Sequence, residues 1–339
     1  MQTFAEFPYP RKSQPVGPLS AGPSRRLPQG FSAPKAEWQA VSGDHLCAAG
    51  DLPFGTSHAS AERGTQAPSS QFSRSPIMSS QFRYLVYDIE TRIDKALLNR
   101  VLYAGQALDD EQAYQAQLAE LAQDGRDFIN PAFHVPVCIA AVGLNPDFEI
   151  LKIGLLGKDG KTPRALVEHF WETYNQNRPV LVDFNGKGFD LRVLELWAFR
   201  LGLSIRESHY DKFGPRYRFN EEHHLDLHEF LTNYGAIRWK GGLNLFSKIL
   251  GKPGKMDTKG DMVQSLFEAG DLFRIEDYCL GDAMDTYFVF LRTLVLRGVI
   301  DLGRERALVE AAVAEMEKLR AAEGYFKPYL EAFGYWKPE

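Results

Sequence analysis

Two acidic residues, Asp88 and Glu90, stand two positions apart in the apolar run FRYLVYDIE. This run is typical of a buried β-strand, which places alternate side chains on the same face. Two carboxylates held side by side repel each other unless a cation lies between them. The other two Asp-x-Glu triplets, at 109–111 and 147–149, are predicted to begin a helix and to form a hairpin turn. The pair in the strand is therefore a candidate cation site.

A second acidic segment, DFNGKGFDLRVL (183–194), follows a predicted strand that ends at Phe184. Its two glycines permit a tight turn and the close approach of a ligand. Asp183 and Asp190 are both candidate functional acids, although a helix-capping turn is the simpler explanation of a lone Asp here. Neither Gly-x-x-x-x-Gly-Lys-Ser/Thr nor Gly-x-Gly-x-x-Gly occurs in the sequence, which excludes nucleotide-binding loops of those two kinds.

The third segment, YCLGDAMDTYFVFL (278–291), has helical periodicity. Tyr278 and Asp282 are four residues apart and share one face of the predicted helix, and Asp285 lies on the same face. A Tyr–Asp hydrogen bond on the surface explains the pair equally well. The spacing leaves Asp282 and Asp285 as rival candidates.

In this order and on these elements, the segments resemble the three exonuclease motifs of the DEDD superfamily, specifically the proofreading-exonuclease domain of family B DNA polymerases. The matching residues are Asp88-Ile-Glu90, Asn185-Gly-Lys-Gly-Phe189-Asp190, and Tyr278-x-x-x-Asp282, the last in the tyrosine form of the motif. The resemblance covers about residues 82 to 298 and implies a ribonuclease H-like fold, a pair of divalent cations and 3′-to-5′ removal of nucleotides. Only about 40 residues follow Gly298, too few for a polymerase, so we expect a stand-alone exonuclease.

The resemblance favours Asp190 over Asp183 and Asp282 over Asp285. Phosphodiester hydrolysis needs the attacking and the leaving oxygen stabilised, which two cations can do together, and hard cations such as Mg²⁺ or Mn²⁺ take oxygen ligands. A phenol with a pKa near ~10 is a poor base, so the tyrosine is expected to orient the attacking water by a hydrogen bond. The metal ligands implied are Asp88, Glu90, Asp190 and Asp282, and Tyr278 completes the catalytic set.

Substrate contacts are expected at Asn185 and Phe189 of the second motif and in a basic stretch from Lys212 to Lys259, which holds nine basic residues and five acids. Cations, glycines and aromatics alternate there, which suits a phosphate backbone and a stacked, unpaired base. The alternative is a solvated helix face with Trp239 in the core. The residues predicted to contact substrate in this stretch are Trp239, Lys240, Lys248 and Lys252. The histidines at 223, 224 and 228 are interpreted as structural or substrate-side.

Several predicted elements must position these residues. Three early strands (82–90, 137–144 and 148–156), a helix opening at Thr162-Pro163, a strand at 179–184 and a helix ending near Leu201 predict an α/β fold, a mixed sheet flanked by helices. One helix, Asp109 to Gln123, is predicted in an insertion between Thr91 and Pro136. We assign residues 81–300 to the ribonuclease H-like exonuclease domain and 301–339 to a C-terminal helical extension.

Residues 1–80 carry 10 of the 19 prolines and 13 serines without periodic apolar residues, and we predict a disordered tail. A transit peptide is one alternative. Another is a misassigned start, because Met78 is the only methionine between Met1 and Met256.

The composition excludes several classes of protein. No segment approaches the ~20 apolar residues of a membrane helix. Three widely spaced cysteines, Cys47, Cys138 and Cys279, support neither a disulfide framework nor a Cys-based zinc site, so a reducing, cytoplasmic location is expected. Beyond residue 80 there are 32 basic and 39 acidic residues, so binding of nucleic acid must depend on a local patch.

The leading hypothesis is a metal-dependent 3′-to-5′ exonuclease that acts on single-stranded ends, with DNA favoured over RNA as the partner. One alternative is a non-catalytic nucleic-acid-binding module of the same fold. The other is a metal-dependent phosphohydrolase of small nucleotides, which would not need the basic stretch.

Overall fold

A computed structural model of the chain describes residues 82–157, 161–256 and 260–338. The predictions for residues 1–80, including a start at Met78, lie outside the described residues, as does Lys259. The strands are β1 (Tyr84–Ile93), β2 (His134–Leu144), β3 (Ile150–Leu155), β4 (Val180–Asp183) and β5 (His224–Asp226). The helices are α1 (Lys95–Leu102), α2 (Asp110–Gln123), α3 (Pro163–Asn177), α4 (Asp190–Leu201), α5 (Leu227–Leu231), α6 (Gly242–Ile249), α7 (Val263–Glu268), α8 (Leu272–Leu296), α9 (Leu302–Glu323) and α10 (Lys327–Glu331).

The strands form one mixed sheet in the order β3-β2-β1-β4-β5. The first three strands are antiparallel neighbours, with Asp88 opposite Ala140, whereas β4 runs parallel to β1 and β5 runs parallel to β4. This arrangement confirms the predicted mixed sheet flanked by helices and the ribonuclease H-like fold class. Because β1 and β4 are parallel and β4 ends at Asp183, the second acidic segment leaves the sheet in the direction in which β1 continues to Asp88 and Glu90.

The two faces of the sheet pack against different helices. Leu85, Tyr87 and Ile89 join a core with α3 and α4, whereas Val86 joins a core with α8 and α9. Since side chains alternate along a strand, Asp88 and Glu90 continue the face of Val86 and point toward α8. The period-two pattern of the sequence thus decides which helix faces the acidic pair.

The insertion between β1 and β2 contains α1 as well as the predicted α2, so the prediction of a single helix was wrong. The two helices enclose a small core of their own with Ile93 and Phe133. The Asp94 carboxylate caps α1 by accepting a hydrogen bond from the backbone N–H of Leu97 at 3.1 Å. This helix has eight residues and buries only Leu98 completely, so its apolar periodicity was too short to recognise.

The chain beyond α8 folds back onto that helix. Near its first residues, the Tyr325 hydroxyl donates a hydrogen bond to Glu276 at 2.7 Å and the backbone N–H of Phe326 donates to Asp277 at 2.6 Å. Further along, the Tyr329 hydroxyl donates to Asp285 at 2.5 Å. These three contacts, which we call the C-terminal clasp, bracket the part of α8 that contains Tyr278 and Asp282. Within the described ranges, no helix has the length and apolar character needed to cross a bilayer.

Candidate active site

Carboxylates from three elements meet near the middle of β1. Asp88 and Glu90 of β1 and Asp282 of α8 each offer an oxygen within 4.8 Å of the oxygens of the other two. Asp190, the first residue of α4, accepts a hydrogen bond at 3.2 Å from the backbone N–H of Ile89, which lies between the two acids of the strand. The structure therefore brings the four acids named from the sequence to one place, which we call the acidic cluster.

Burial is the main cause of a raised pKa at every carboxyl group of the acidic cluster. The pKa of Asp88 and of Glu90 is held well above its usual range by burial and then by the charges of the neighbouring acids. The pKa of Asp190 is raised by burial and then by the charge of Asp183. For Asp282, burial raises the pKa to about 6, although a hydrogen bond from Tyr278 and the charge of Lys255 oppose the rise.

A set of carboxylate oxygens that repel one another, without histidine or cysteine among them, matches the ligand preference of hard divalent cations. The chemistry of the acidic cluster thus fits Mg²⁺ or Mn²⁺ better than zinc.

Tyr278 lies one turn before Asp282 on α8, and the interaction of its hydroxyl with that carboxylate lowers the pKa of Asp282. Burial and the charges of Asp282, Glu90 and Asp88 raise the pKa of the phenol far above its ordinary value. The hydroxyl is protonated at any working pH, so it can donate a hydrogen bond but cannot act as a base.

Two further aspartates hold the loop that precedes Asp190. The fully buried Asp183 accepts hydrogen bonds from the Tyr87 hydroxyl at 2.8 Å and the Gly186 backbone N–H at 3.0 Å, and it pairs with His224 Nε2 at 2.7 Å. Asp226 accepts from the backbone N–H groups of Asn185 at 2.9 Å and Lys187 at 3.1 Å. These hydrogen bonds fix the position of the loop backbone on the sheet.

Gly186 is required by this close approach. A Cβ atom at position 186 would lie 2.0 Å from Asp183 Oδ2. Asp183, one of the two candidate acids of the second segment, is thus occupied in supporting the loop, and its partner His224 is a buried structural histidine.

Asp285, the rival of Asp282, is not part of the acidic cluster. Its carboxylate receives the hydrogen bond from Tyr329 in the C-terminal clasp, and burial raises its pKa to about 7. A carboxyl group enclosed in this way is a poor candidate for a cation ligand.

The residues predicted to contact substrate occupy different environments. Asn185 is exposed in the loop before Asp190 and adopts a left-handed φ of 72°, which Asn tolerates better than most residues. The Phe189 ring is partly buried against Phe128 and His134, with centroids 5.3 and 5.0 Å away. Lys240 and Lys248 are exposed, and Trp239 is 46% exposed with its indole N–H donating to Leu231 O at 3.3 Å.

Lys252 is not available for the contact predicted for it. Only 5% of this residue is exposed, its Nζ donates to Gly334 O at 3.0 Å, and it lies 4.0 Å from the centroid of the Phe333 ring. Folding of the C-terminal segment over this lysine takes it away from any phosphate backbone in solvent. We therefore do not retain Lys252 as a substrate contact.

Sequence reasoning did not single out Lys255. This lysine is exposed beside the acidic cluster, where its charge lowers the pKa of Glu90 and Asp282, and its backbone N–H donates to Asn244 Oδ1 at 2.8 Å. The sequence feature that could have identified Lys255 is its position at the end of the turn Gly-Lys-Pro-Gly-Lys, because glycine and proline bend the chain sharply.

Residues 126–333 match a family described as predicted 3′-5′ exonucleases related to the exonuclease domain of PolB. This match covers more than half of the 339-residue chain, and the chain belongs to that family. The matched region contains Asp190, Tyr278 and Asp282 and begins after Asp88 and Glu90.

Among solved structures, the fold is similar to the family B DNA polymerase from the hyperthermophilic archaeon Pyrobaculum calidifontis, with a TM-score of 0.41 and 16% sequence identity. The similarity covers 72% of this chain and 30% of the polymerase chain. No curated protein matches the sequence.

Proposed function

We propose that the protein is a metal-dependent 3′-to-5′ exonuclease that hydrolyses phosphodiester bonds at single-stranded nucleic-acid ends. The observation that supports this most directly is the convergence of four acids, two buried and two partly buried, from β1, α4 and α8. Membership of a nuclease-related family supports the reaction class and the polarity.

The four acids have distinct supports. Asp88 and Glu90 are fixed by the sheet, Asp282 by α8, and Asp190 by the loop that Asp183 and Asp226 hold. These residues would hold two divalent cations. When bound, the cations supply the positive charge that stabilises the attacking and the leaving oxygen.

Residues around the acidic cluster would act on the attacking water and on the substrate. The Tyr278 hydroxyl would orient the attacking water through a hydrogen bond. Lys255 adds a positive charge at the solvent side of the acidic cluster, where a phosphate would enter. The candidates for contacts to the substrate are the exposed residues Asn185, Trp239, Lys240 and Lys248, and Phe189, which packs against His134, would contribute to the same loop.

The test is degradation of single-stranded DNA and RNA oligonucleotides, labelled in turn at each end, with Mg²⁺, with Mn²⁺ and with a chelator. We expect a ladder of products shortened from the 3′ end that depends on the metal and disappears in Asp282→Asn. The matched control is Asp285→Asn, three residues further along α8, because an amide can still accept the hydrogen bond of Tyr329 and this residue is outside the acidic cluster.

Three other outcomes would contradict the proposed exonuclease or its assigned site. Binding of oligonucleotides without hydrolysis in either metal would identify a non-catalytic module. Hydrolysis of mononucleotides with intact oligonucleotides would identify a small-nucleotide phosphohydrolase. Equal loss of activity in both variants would show that Asp282 has no special role.

A further inference from the structure

Four aromatic side chains on the surface after α4 touch in series, and we call them the aromatic ladder. The ring centroids of Phe213 and Tyr217 are 5.8 Å apart, those of Tyr217 and Phe219 are 5.8 Å apart, and those of Phe219 and Tyr234 are 5.0 Å apart. Phe213, Tyr217 and Phe219 are 62%, 40% and 54% exposed. A contiguous row of exposed rings is unusual on a soluble protein and marks an interaction surface.

Cations accompany these rings. Lys212 Nζ lies 5.1 Å from the centroid of Phe213, and the Arg218 guanidinium lies 5.7 Å from that of Phe219. Cations that alternate with exposed aromatic rings are typical of surfaces for single-stranded nucleic acid, because bases stack on the rings while phosphates meet the cations. Arg218 also pairs with Glu229 at 2.9 Å, so much of the free positive charge must come from elsewhere.

A cavity of about 610 Å³ at the Phe213 end supplies that charge. Its walls include Arg83, Arg178, Arg206 and Lys212, with Asp211 as their acidic neighbour. Within residues 82–157, 161–256 and 260–338, no ion pair joins any of these four cations to an acid. Acids outnumber bases beyond residue 80, so four cations around one cavity that lack an ion pair within the described residues indicate an anionic ligand.

Hydrogen bonds join the backbone around Phe219 of the aromatic ladder to the loop before Asp190. Lys187 of that loop donates hydrogen bonds at 2.8 Å to Arg218 O and to Asn220 O, the residues on either side of Phe219. The aromatic ladder therefore connects the loop that places Asp190 with the cationic cavity.

We propose that the aromatic ladder and the cationic cavity bind the single-stranded segment that leads to the 3′ end in the acidic cluster. Bases stack on Phe213, Tyr217 and Phe219, and phosphates several nucleotides from the cleaved bond enter the cavity. This inference rests on the proposed function, and it assigns the preference for single strands to surface aromatic residues. The basic stretch identified from the sequence did not distinguish these rings.

The test measures binding separately from hydrolysis. Fluorescence anisotropy in a chelator gives the affinity for oligo-dT of 4, 8, 12 and 20 nucleotides, and turnover with Mg²⁺ is measured on the 20-mer and on the p-nitrophenyl ester of thymidine 5′-monophosphate. A stacked base contributes about 1–3 kcal/mol, so we expect Phe213→Ala and Phe219→Ala each to weaken binding of the 20-mer by about 5- to 150-fold. Turnover of the ester, which reaches only the acidic cluster, is expected to stay unchanged.

Two further variants control for folding and ring chemistry. Phe273→Ala removes a 49% exposed ring that stacks on Tyr325 outside the aromatic ladder, and we expect it to bind the 20-mer as the wild type does. Phe219→Tyr retains an aromatic face and is expected to retain the affinity. Replacing Arg178 and Lys212 by Gln should lower the slope of log affinity against log salt by about 0.7 for each phosphate that the variant no longer binds.

The proposal is overturned if the Phe213→Ala and Phe219→Ala proteins bind the 20-mer with wild-type affinity, as they would if the rings served a protein partner. It is also overturned if Phe273→Ala weakens binding as much. A wild-type protein that binds the 20-mer but hydrolyses neither substrate would refute the proposed exonuclease and leave the binding surface standing. If the protein hydrolyses the 20-mer and neither substitution changes its binding, the proposed exonuclease stands and the proposed binding surface is refuted.

Discussion

Replacement of Gly186 by alanine tests whether the loop before Asp190 is positioned by Asp183. The added methyl carbon would lie 2.0 Å from Asp183 Oδ2 and 2.2 Å from its Cγ, whereas real Cβ atoms stay at least 3.0 Å from such neighbours. One of the two groups must therefore move by about 1 Å. The Gly186 backbone has no positive φ, so alanine introduces no other strain.

The side chain of Asp183 is the less mobile of the two. Its oxygens engage Tyr87, His224 and the loop itself, and to leave one such buried partner unpaired costs about 1–3 kcal/mol. The loop is therefore expected to shift by about 1 Å, and Asp190 with it. A misplacement of this size costs about 10²-fold in the rate of the chemical step.

The assay is the single-turnover rate on a 5′-labelled single-stranded oligonucleotide at saturating Mg²⁺, with urea unfolding measured in parallel. Gly154→Ala on β3 is the matched control, since its methyl group would meet nothing within 4 Å. Because the effect is transmitted through one side chain, Gly186→Ala should add little to the loss already caused by Asp183→Ala. A Gly186→Ala protein with the wild-type rate, or losses that add in the double variant, would refute this account of the loop.

Three other expectations concern the acidic cluster and its surroundings. Tyr278→Phe should lower turnover by about 10- to 10³-fold and leave Mg²⁺ affinity and KM almost unchanged, because it removes one hydrogen-bond donor and no carboxylate; calorimetric titration with single-turnover kinetics would decide this. Burial raises the pKa of Asp282 from 3.8 to about 6, so the metal-free folded protein keeps a proton that the unfolded chain releases. The free energy of unfolding of the metal-free protein should fall by about 1–3 kcal/mol as the pH rises from 4 to 7. In Asp282→Asn, urea unfolding should show a weaker dependence of this free energy on pH. Charge reversal at Lys240 and Lys248 should reduce the salt slope of single-strand binding by about 0.7 for each phosphate released from these lysines, whereas an unchanged slope would assign both lysines to an ordinary solvated surface.

The sequence was most informative where the candidate site depends on a regular spacing of residues within one strand or one helix. Alternation along β1 put Asp88 and Glu90 on one face, and the spacing of four on α8 put Tyr278 beside Asp282. Both patterns depend on neighbours within a few residues, so they can be read without knowledge of the fold. The mixed sheet, which the structure confirms, could be predicted for the same reason, since its strands are apolar runs bounded by turns.

Contacts between distant segments could not be predicted in this way. The hydrogen bonds of Asp183 join residues 96 positions apart on one side and 41 on the other. Lys252 is buried by Gly334, 82 residues further along the chain, and nothing in its surrounding sequence distinguishes it from the exposed Lys248. Such long-range packing decides which acids and lysines are free to meet a ligand.

The C-terminal clasp also has a consequence for the order in which the protein is made. Asp282 leaves the ribosome well before the residues that bracket its helix, because Tyr329 is synthesised 44 residues after its partner Asp285. Until Tyr329 is made, the carboxyl group of Asp285 lacks its hydrogen bond, and the C-terminal segment does not yet pack against α8. The support of α8 by the C-terminal clasp is therefore completed late, only after nearly the whole described region has been translated.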